Sequence, residues 1–170
     1  MGAFPDTLPP ASRPELLKWL AMGTMIVDHG GLVVWTQLYP WTFVVGRLAW
    51  PLFALLVAVR LAEKPERGTG YLPRLLLWAV VAQPAYQGIA GLPRANVLVT
   101  LAVGVALTVA ILHRPLRPGW VALSVVGVAA SPFIDFGPPG VLLVPVLALL
   151  ARWRPWAAVW LCGPLAWAGQ

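Results

Sequence analysis

Asp28 and His29 stand side by side in the apolar run "MIVDHGG" (residues 25–31), where an ionisable side chain is costly. An imidazole titrates near neutrality, so the pair suggests acid–base chemistry, with the carboxylate orienting a ring or neutralising a cation. Only six acids occur in the 170 residues, namely Asp6, Glu15, Asp28, Glu63, Glu66 and Asp135. Almost every ionisable group is therefore isolated, and its position can be read individually. Arg47, Gln83, Gln87, Asn96 and Asp135 are the other polar residues set in or at the ends of apolar stretches. A single such residue is readily explained as a cap, an ion pair or interhelical glue. A set drawn from several segments points instead to a functional cavity.

The elements that must carry these residues are membrane helices. The chain is 59% hydrophobic and 11% charged, whereas about a quarter of a soluble domain is charged. Its balance of +6 does not indicate nucleic acid, because no basic stripe interleaved with aromatics is present. The lone Cys162 excludes an intramolecular disulfide and a cysteine-rich metal site, and no metal is expected. The opening "MGAFPDTLPPASRP" has prolines and an acid where a signal peptide has a basic and then an apolar region. The first helix is thus expected to be an uncleaved anchor.

Pro, Gly and charged residues cut the chain into about seven segments near the length of a span, with six as the alternative. They cover 15–35, 41–62, 71–90, 96–113, 119–136, 138–151 and 155–169, a single all-α, polytopic transmembrane domain over 1–170 with a short N-terminal segment, 1–14. Lys and Arg gather in the N-terminal flank and the second, fourth and sixth connections, whereas Arg94 is the only basic residue of the first, third and fifth. Cytoplasmic flanks carry such an excess, which places the N-terminus in the cytoplasm. At 1.5 Å per residue Asp28 and His29 lie roughly 20 Å from the cytoplasmic end of the first span. Arg47, Gln83, Gln87, Asn96 and Asp135 then share the outer half with them. His113 falls at the cytoplasmic end of the fourth span, where a structural role is expected.

Lys18, Met22, Met25 and His29 recur at helical spacing on one face of the first span. The face reads as a packing stripe with a snorkelling lysine or, with Arg60 and Arg74 at the same rim, as an entrance for a phosphate-bearing ligand from the cytoplasm.

The stretches "LKWLAMGTMIVDHGG" (17–31), "GRLAWPLFALLVAVRLA" (46–62), "YLPRLLLWAVVAQPAY" (71–86), "NVLVTLAVG" (96–104) and "SPFIDFGPPGVLLVPVLAL" (131–149) resemble, in order and spacing, the TraX-type pilin acetyltransferase family. The resemblance covers roughly 16–150, with Asp-His and Gly-Arg as its most specific marks. It departs at "AWP" (49–51), where Phe commonly precedes the proline, and at Gln83, where a carboxylate is common. The resemblance implies a multi-pass acetyltransferase of the bacterial inner membrane. Such an enzyme uses cytoplasmic acetyl-coenzyme A to acetylate the N-terminal amine of a conjugative pilin subunit.

For that reaction an amine must lose its proton, and the oxyanion on the thioester carbonyl must be stabilised. His29 is the natural base. Neighbouring helix residues point about 100° apart at 3.6 residues per turn, so Asp135 is the expected orienting partner of His29 and Asp28 that of Arg47. Arg47 or Asn96 would supply the oxyanion donor, and Lys18, Arg60 and Arg74 would hold the coenzyme phosphates. The main rival is a proton-coupled transporter or channel using the same Asp/His/Arg cluster.

Overall fold

The computed structural model describes residues 12–90, 94–112 and 118–153. Among these the chain is helical, with no strand and one isolated bridge between Ala95 and Ile134. Helix α1 covers Ser12–Val33 and ends where the N–H groups of Val34 and Trp35 both return to the Gly30 carbonyl, at 2.8 and 2.9 Å. A single 3₁₀ turn leads into α2, Tyr39–Gly46, with Pro40 in its first turn, where a missing N–H costs nothing. Helix α3, Ala49–Glu63, continues almost directly. The interruption at Arg47–Leu48 has a local cause: Pro51 offers no N–H to the Arg47 carbonyl and its ring crowds that group.

Lys64, extended because Pro65 follows it, stops α3 at φ −140° and ψ 82°. Helix α4 is Gly68–Ala90, α5 Val97–Leu112, α6 Pro118–Ala129 and α7 Gly137–Trp153. Asn96 caps α5, its Oδ1 accepting from the Leu98 N–H at 3.1 Å.

Helix α5 lies at the centre, packed against α3, α4, α6 and α7, while α1 leans on α2 and α3. The main core joins Trp50, Ala54 and Leu61 of α3, Val105 and Val109 of α5, and Val144, Leu147 and Ala148 of α7. α5 is apolar all round because every side of it meets another helix. The peripheral helices are apolar outward as well: Trp19 and Ile26 of α1, Trp78 and Val80 of α4, and Val125 and Val126 of α6 are exposed. Burial within the chain accounts for the first pattern. The second suits an apolar surrounding.

The stretch Thr36–Glu63, 28 residues with a mean hydropathy of 1.9, is long and apolar enough to cross a membrane, and α5, α6 and α7 are apolar but shorter. The segments expected over 15–35, 71–90, 96–113 and 138–151 correspond to α1, α4, α5 and α7. The segment 41–62 is divided into α2 and α3, and 119–136 is helical only to Ala129. There a 3₁₀ turn at Ser131–Phe133, containing Pro132, replaces the last expected turns. The segment 155–169, His113 and Cys162 lie outside the described residues.

Candidate functional site

Contacts gather the C-terminal half of α1, the α2–α3 break, the end of α4, the start of α5 and the α6–α7 turn at one end of the bundle. The contact between α1 and α2 depends on glycine. A methyl group on Gly46 would overlap the side chain of Asp28, and one on Gly31 would overlap Thr42. Gly46 thus lets the chain pass directly over Asp28, and the next residue is Arg47.

The Arg47 guanidinium lies 4.1 Å from the ring centre of Phe43 and 5.2 Å from that of Phe136, cation–π contacts from two segments. Phe136 in turn stacks on Trp50 at 5.2 Å. Arg47 acts electrostatically on both Asp28 and Asp135 without a direct ion pair to either among the described residues. Asp28 Oδ1, Arg47 Nε and Trp50 Nε1 are buried and have no hydrogen-bond partner among the described residues. Orphaned buried groups of this kind are rare in folded proteins, and polar atoms left open here are available to a ligand.

His29 is placed differently from its expectation. Its side chain is 55% exposed, because α1 packs on only one side. The carboxylate beside it is that of Asp28, Oδ2 lying 4.0 Å from Nδ1, and not that of Asp135. The reason is local. Nδ1 lies 2.9 Å from the Met25 carbonyl one turn back, which folds the ring along the helix beside Asp28. A carbonyl only accepts, so in the neutral ring the proton sits on Nδ1 and Nε2 keeps a free lone pair.

Asp135 lies in the turn between α6 and α7. Its N–H bonds to the Ala95 carbonyl at 2.9 Å, its carbonyl accepts from Thr100 Oγ1, and its Oδ1 accepts from the Phe136 N–H at 3.1 Å. Burial raises its carboxyl above the ordinary carboxylate range, against the lowering effect of that N–H and of Arg47 and Arg94. The turn is strained: Phe136 has φ +61° and Gly137 φ +54°. A bulky residue in the left-handed region costs about 1–3 kcal/mol, held here by the ring's stack on Trp50. Tyr86 of α4 interacts with Asp135.

Asn96 and Gln83 have structural tasks. Asn96 is 2% exposed, its Nδ2 donates to the Ala79 carbonyl at 2.8 Å and its Oδ1 caps α5, so both ends of the amide are in use inside the fold. Gln83 accepts from the Asn96 N–H at 3.0 Å and donates to the Arg94 carbonyl at 2.7 Å. A carboxylate at 83 would lack the second bond, which accounts for glutamine here.

These groups border a cavity of about 440 Å³ lined by Phe43, Arg47, Arg94, Ile134, Asp135 and Phe136, with Gly137 and Pro138 among the rest. His29 and Asp28 do not line it; Arg47, which does, acts electrostatically on Asp28. At the other end an open cavity of about 360 Å³ is lined by Glu66, Arg67, Thr69, Gly70, Tyr71 and Arg74. Of the three basic residues expected at this rim only Arg74 lines it. Lys18 is ion-paired to Glu15, and Arg60 is half-buried near the end of α3. Met22 and Met25 are each 44% exposed, so with His29 they form an outward face of α1.

Sequence reasoning missed Phe136, Trp50, Tyr71 and Tyr86 as site neighbours. Tyr86 follows Gln83 by one turn, a spacing that was available. Phe136 and Trp50 had no such signal, since their partners are distant in sequence.

The family model described as TraX protein matches residues 13–168. The chain is also similar to the Escherichia coli protein named Protein TraX, 34% identical over 91 residues. That match covers 52% of this chain and 36% of the relative, so it spans about a third of the relative's length. No solved structure matches.

Proposed function

The chain belongs to the TraX protein family, and on that premise we propose that it is an integral membrane acetyltransferase. It moves an acetyl group from cytoplasmic acetyl-coenzyme A to an amine presented at the outer half of the bacterial inner membrane, the N-terminus of a conjugative pilin subunit. In this reading the helices form a multi-pass bundle, with the outward apolar faces of α4 and α6 against lipid and the face of α1 that carries Met22, Met25 and His29 turned to the acceptor.

The observation that carries the reading is the state of His29. Its Nδ1–H is tied to the Met25 carbonyl, a carboxylate lies 4.0 Å away to stabilise an imidazolium, and Nε2 is free to accept a proton. The amine nitrogen attacks the acetyl carbonyl, the N–C bond forms and the C–S bond breaks. The thiolate leaves as coenzyme A, and the amine proton passes to Nε2. Arg47, oriented by Phe43 and Phe136, is the donor for the oxyanion. Asp28 serves His29, Asp135 faces the acceptor, and Asn96 acts by positioning the start of α5.

The coenzyme enters from the opposite rim, where Arg67 and Arg74 face an open cavity beside Tyr71, and Arg60 adds to the positive field. From Arg74 to Tyr86 along α4 is about 18 Å at 1.5 Å per residue, a distance suited to the long thiol arm of a coenzyme.

The test is thermal unfolding of the purified protein with coenzyme A. A ligand held at a hundred times its Kd stabilises the folded state by about 2.7 kcal/mol, so the midpoint should rise by several degrees. No shift at saturation overturns the acetyltransferase reading and favours a proton pathway through the same cluster.

A further inference from the structure

Arg94 is the cation that the charge bias of the sequence does not explain, the sole basic residue of the first, third and fifth connections. The fold holds it in a definite place. Its carbonyl accepts from Gln83 Nε2 at 2.7 Å, and the adjoining Ala95 bonds Phe133 and Asp135 at 3.0 and 2.9 Å, a bridge between two connections far apart in sequence. Its side chain is exposed, lines the 440 Å³ cavity with Asp135 and, among the described residues, enters no ion pair. Arg47, the other cation of that cavity, acts on both Asp28 and Asp135 and is engaged by the rings of Phe43 and Phe136. Arg94 acts on Asp135 and on Tyr86 only through space.

We propose that Arg94 reads an anion on the acceptor: the cavity selects a polypeptide N-terminus that carries an aspartate or glutamate within two or three residues of the reacting amine. The proposal rests on the acetyltransferase reading and names the substrate class of the same site. A guanidinium binds a carboxylate through two parallel hydrogen bonds, and a backbone pinned at its own carbonyl and at the next residue reduces the entropy lost in doing so. Asp135 supplies the opposite charge for the amine, so the cavity matches a ligand carrying both signs. An extended chain at about 3.3–3.6 Å per residue places two or three residues in that volume. The proline and aromatic walls, Pro132, Pro138 and Phe43, suit a peptide stem.

The experiment uses the full chain, purified in detergent, and two dye-labelled peptides that differ only in glutamate or glutamine at the third position. Binding is read by fluorescence anisotropy and acetyl transfer by mass spectrometry. The glutamate peptide should bind about tenfold more tightly, with a matching fall in KM, as for a charge-assisted hydrogen bond. Arg94→Gln should erase the preference, and Arg94→Glu should turn it toward a lysine peptide. The exposed side chain makes no hydrogen bond or ion pair among the described residues, so both variants should unfold at the wild-type temperature.

Equal binding of the two peptides by the wild type, or a preference that survives Arg94→Gln, overturns the proposal. So does displacement of both peptides alike by phosphatidylethanolamine vesicles, which would make the ligand a lipid headgroup. Charge-dependent binding without transfer supports the subsite and overturns the acetyltransferase reading. Transfer without charge preference does the reverse.

Discussion

The two ends of the helical bundle carry charge in different ways. At one end Asp28, Arg47, Asp135 and Arg94 come from four separate segments, and cation–π contacts, backbone bonds and a positive φ hold the groups around them in place. At the other, Arg67 and Arg74 line an open depression, and Lys18 is paired to Glu15 within its own helix. The first end is built for geometry. Capturing a phosphate needs mainly a field, and several loosely held cations supply it. Stabilising a developing charge requires donors aimed before the reaction begins.

Substitutions should separate the two ends by the size of their effects. His29→Ala is expected to lower acetyl transfer by about 10²–10⁴-fold, the usual contribution of a general base, while the thermal shift produced by coenzyme A persists. A loss of that shift would place His29 in coenzyme binding and blur the contrast. Arg47→Lys should cost about 10²–10³-fold in kcat, as for an oxyanion donor. Phe136→Leu should then add little in the Arg47→Lys background, because it acts through the guanidinium. Additive losses would show that Phe136 matters only to packing.

Gly46→Ala tests the scaffold, since its methyl would overlap Asp28. A destabilisation of about 1–3 kcal/mol is expected in denaturant titration, with transfer reduced among the molecules that remain folded. The smallest effects belong to the open rim. Arg67→Ala or Arg74→Ala should raise the KM for acetyl-coenzyme A by only a few-fold each, as exposed charge contacts contribute about 0.2–1 kcal/mol, and the effect should shrink in high salt. A hundredfold loss from either would make the rim as exacting as the other end.

Much of this contrast was legible in the chain. Proline and glycine positions divide it into helical stretches, and the alternation of direction placed Asp28, Arg47, Asn96 and Asp135 at one end. The break at Arg47–Leu48 passed unnoticed although Pro51 signals it, because 41–62 reads as one apolar run. The partner of His29 was misplaced by counting only the angle between neighbours and not the bond that folds the ring back on Met25. Asn96 fits both a cap and an oxyanion donor in the sequence, and the bond from the Leu98 N–H to its Oδ1 decides for the cap. Arg94 was read as an exception to a rule. Its place beside Asp135 follows from a bridge between Ala95 and Ile134 that no local pattern announces.

The sequence by itself determined which stretches are helical, how apolar they are and which end each polar residue occupies. Those properties depend on backbone chemistry and on a constant rise per residue, both local. Only the tertiary structure decided how each helix is turned about its axis. That rotation is set by close contacts such as Gly46 on Asp28 and Phe136 on Trp50, between residues with no fixed relation in the chain. It leaves His29 on an outward face, puts Arg47 between two carboxylates, and stations Arg94 at the cavity.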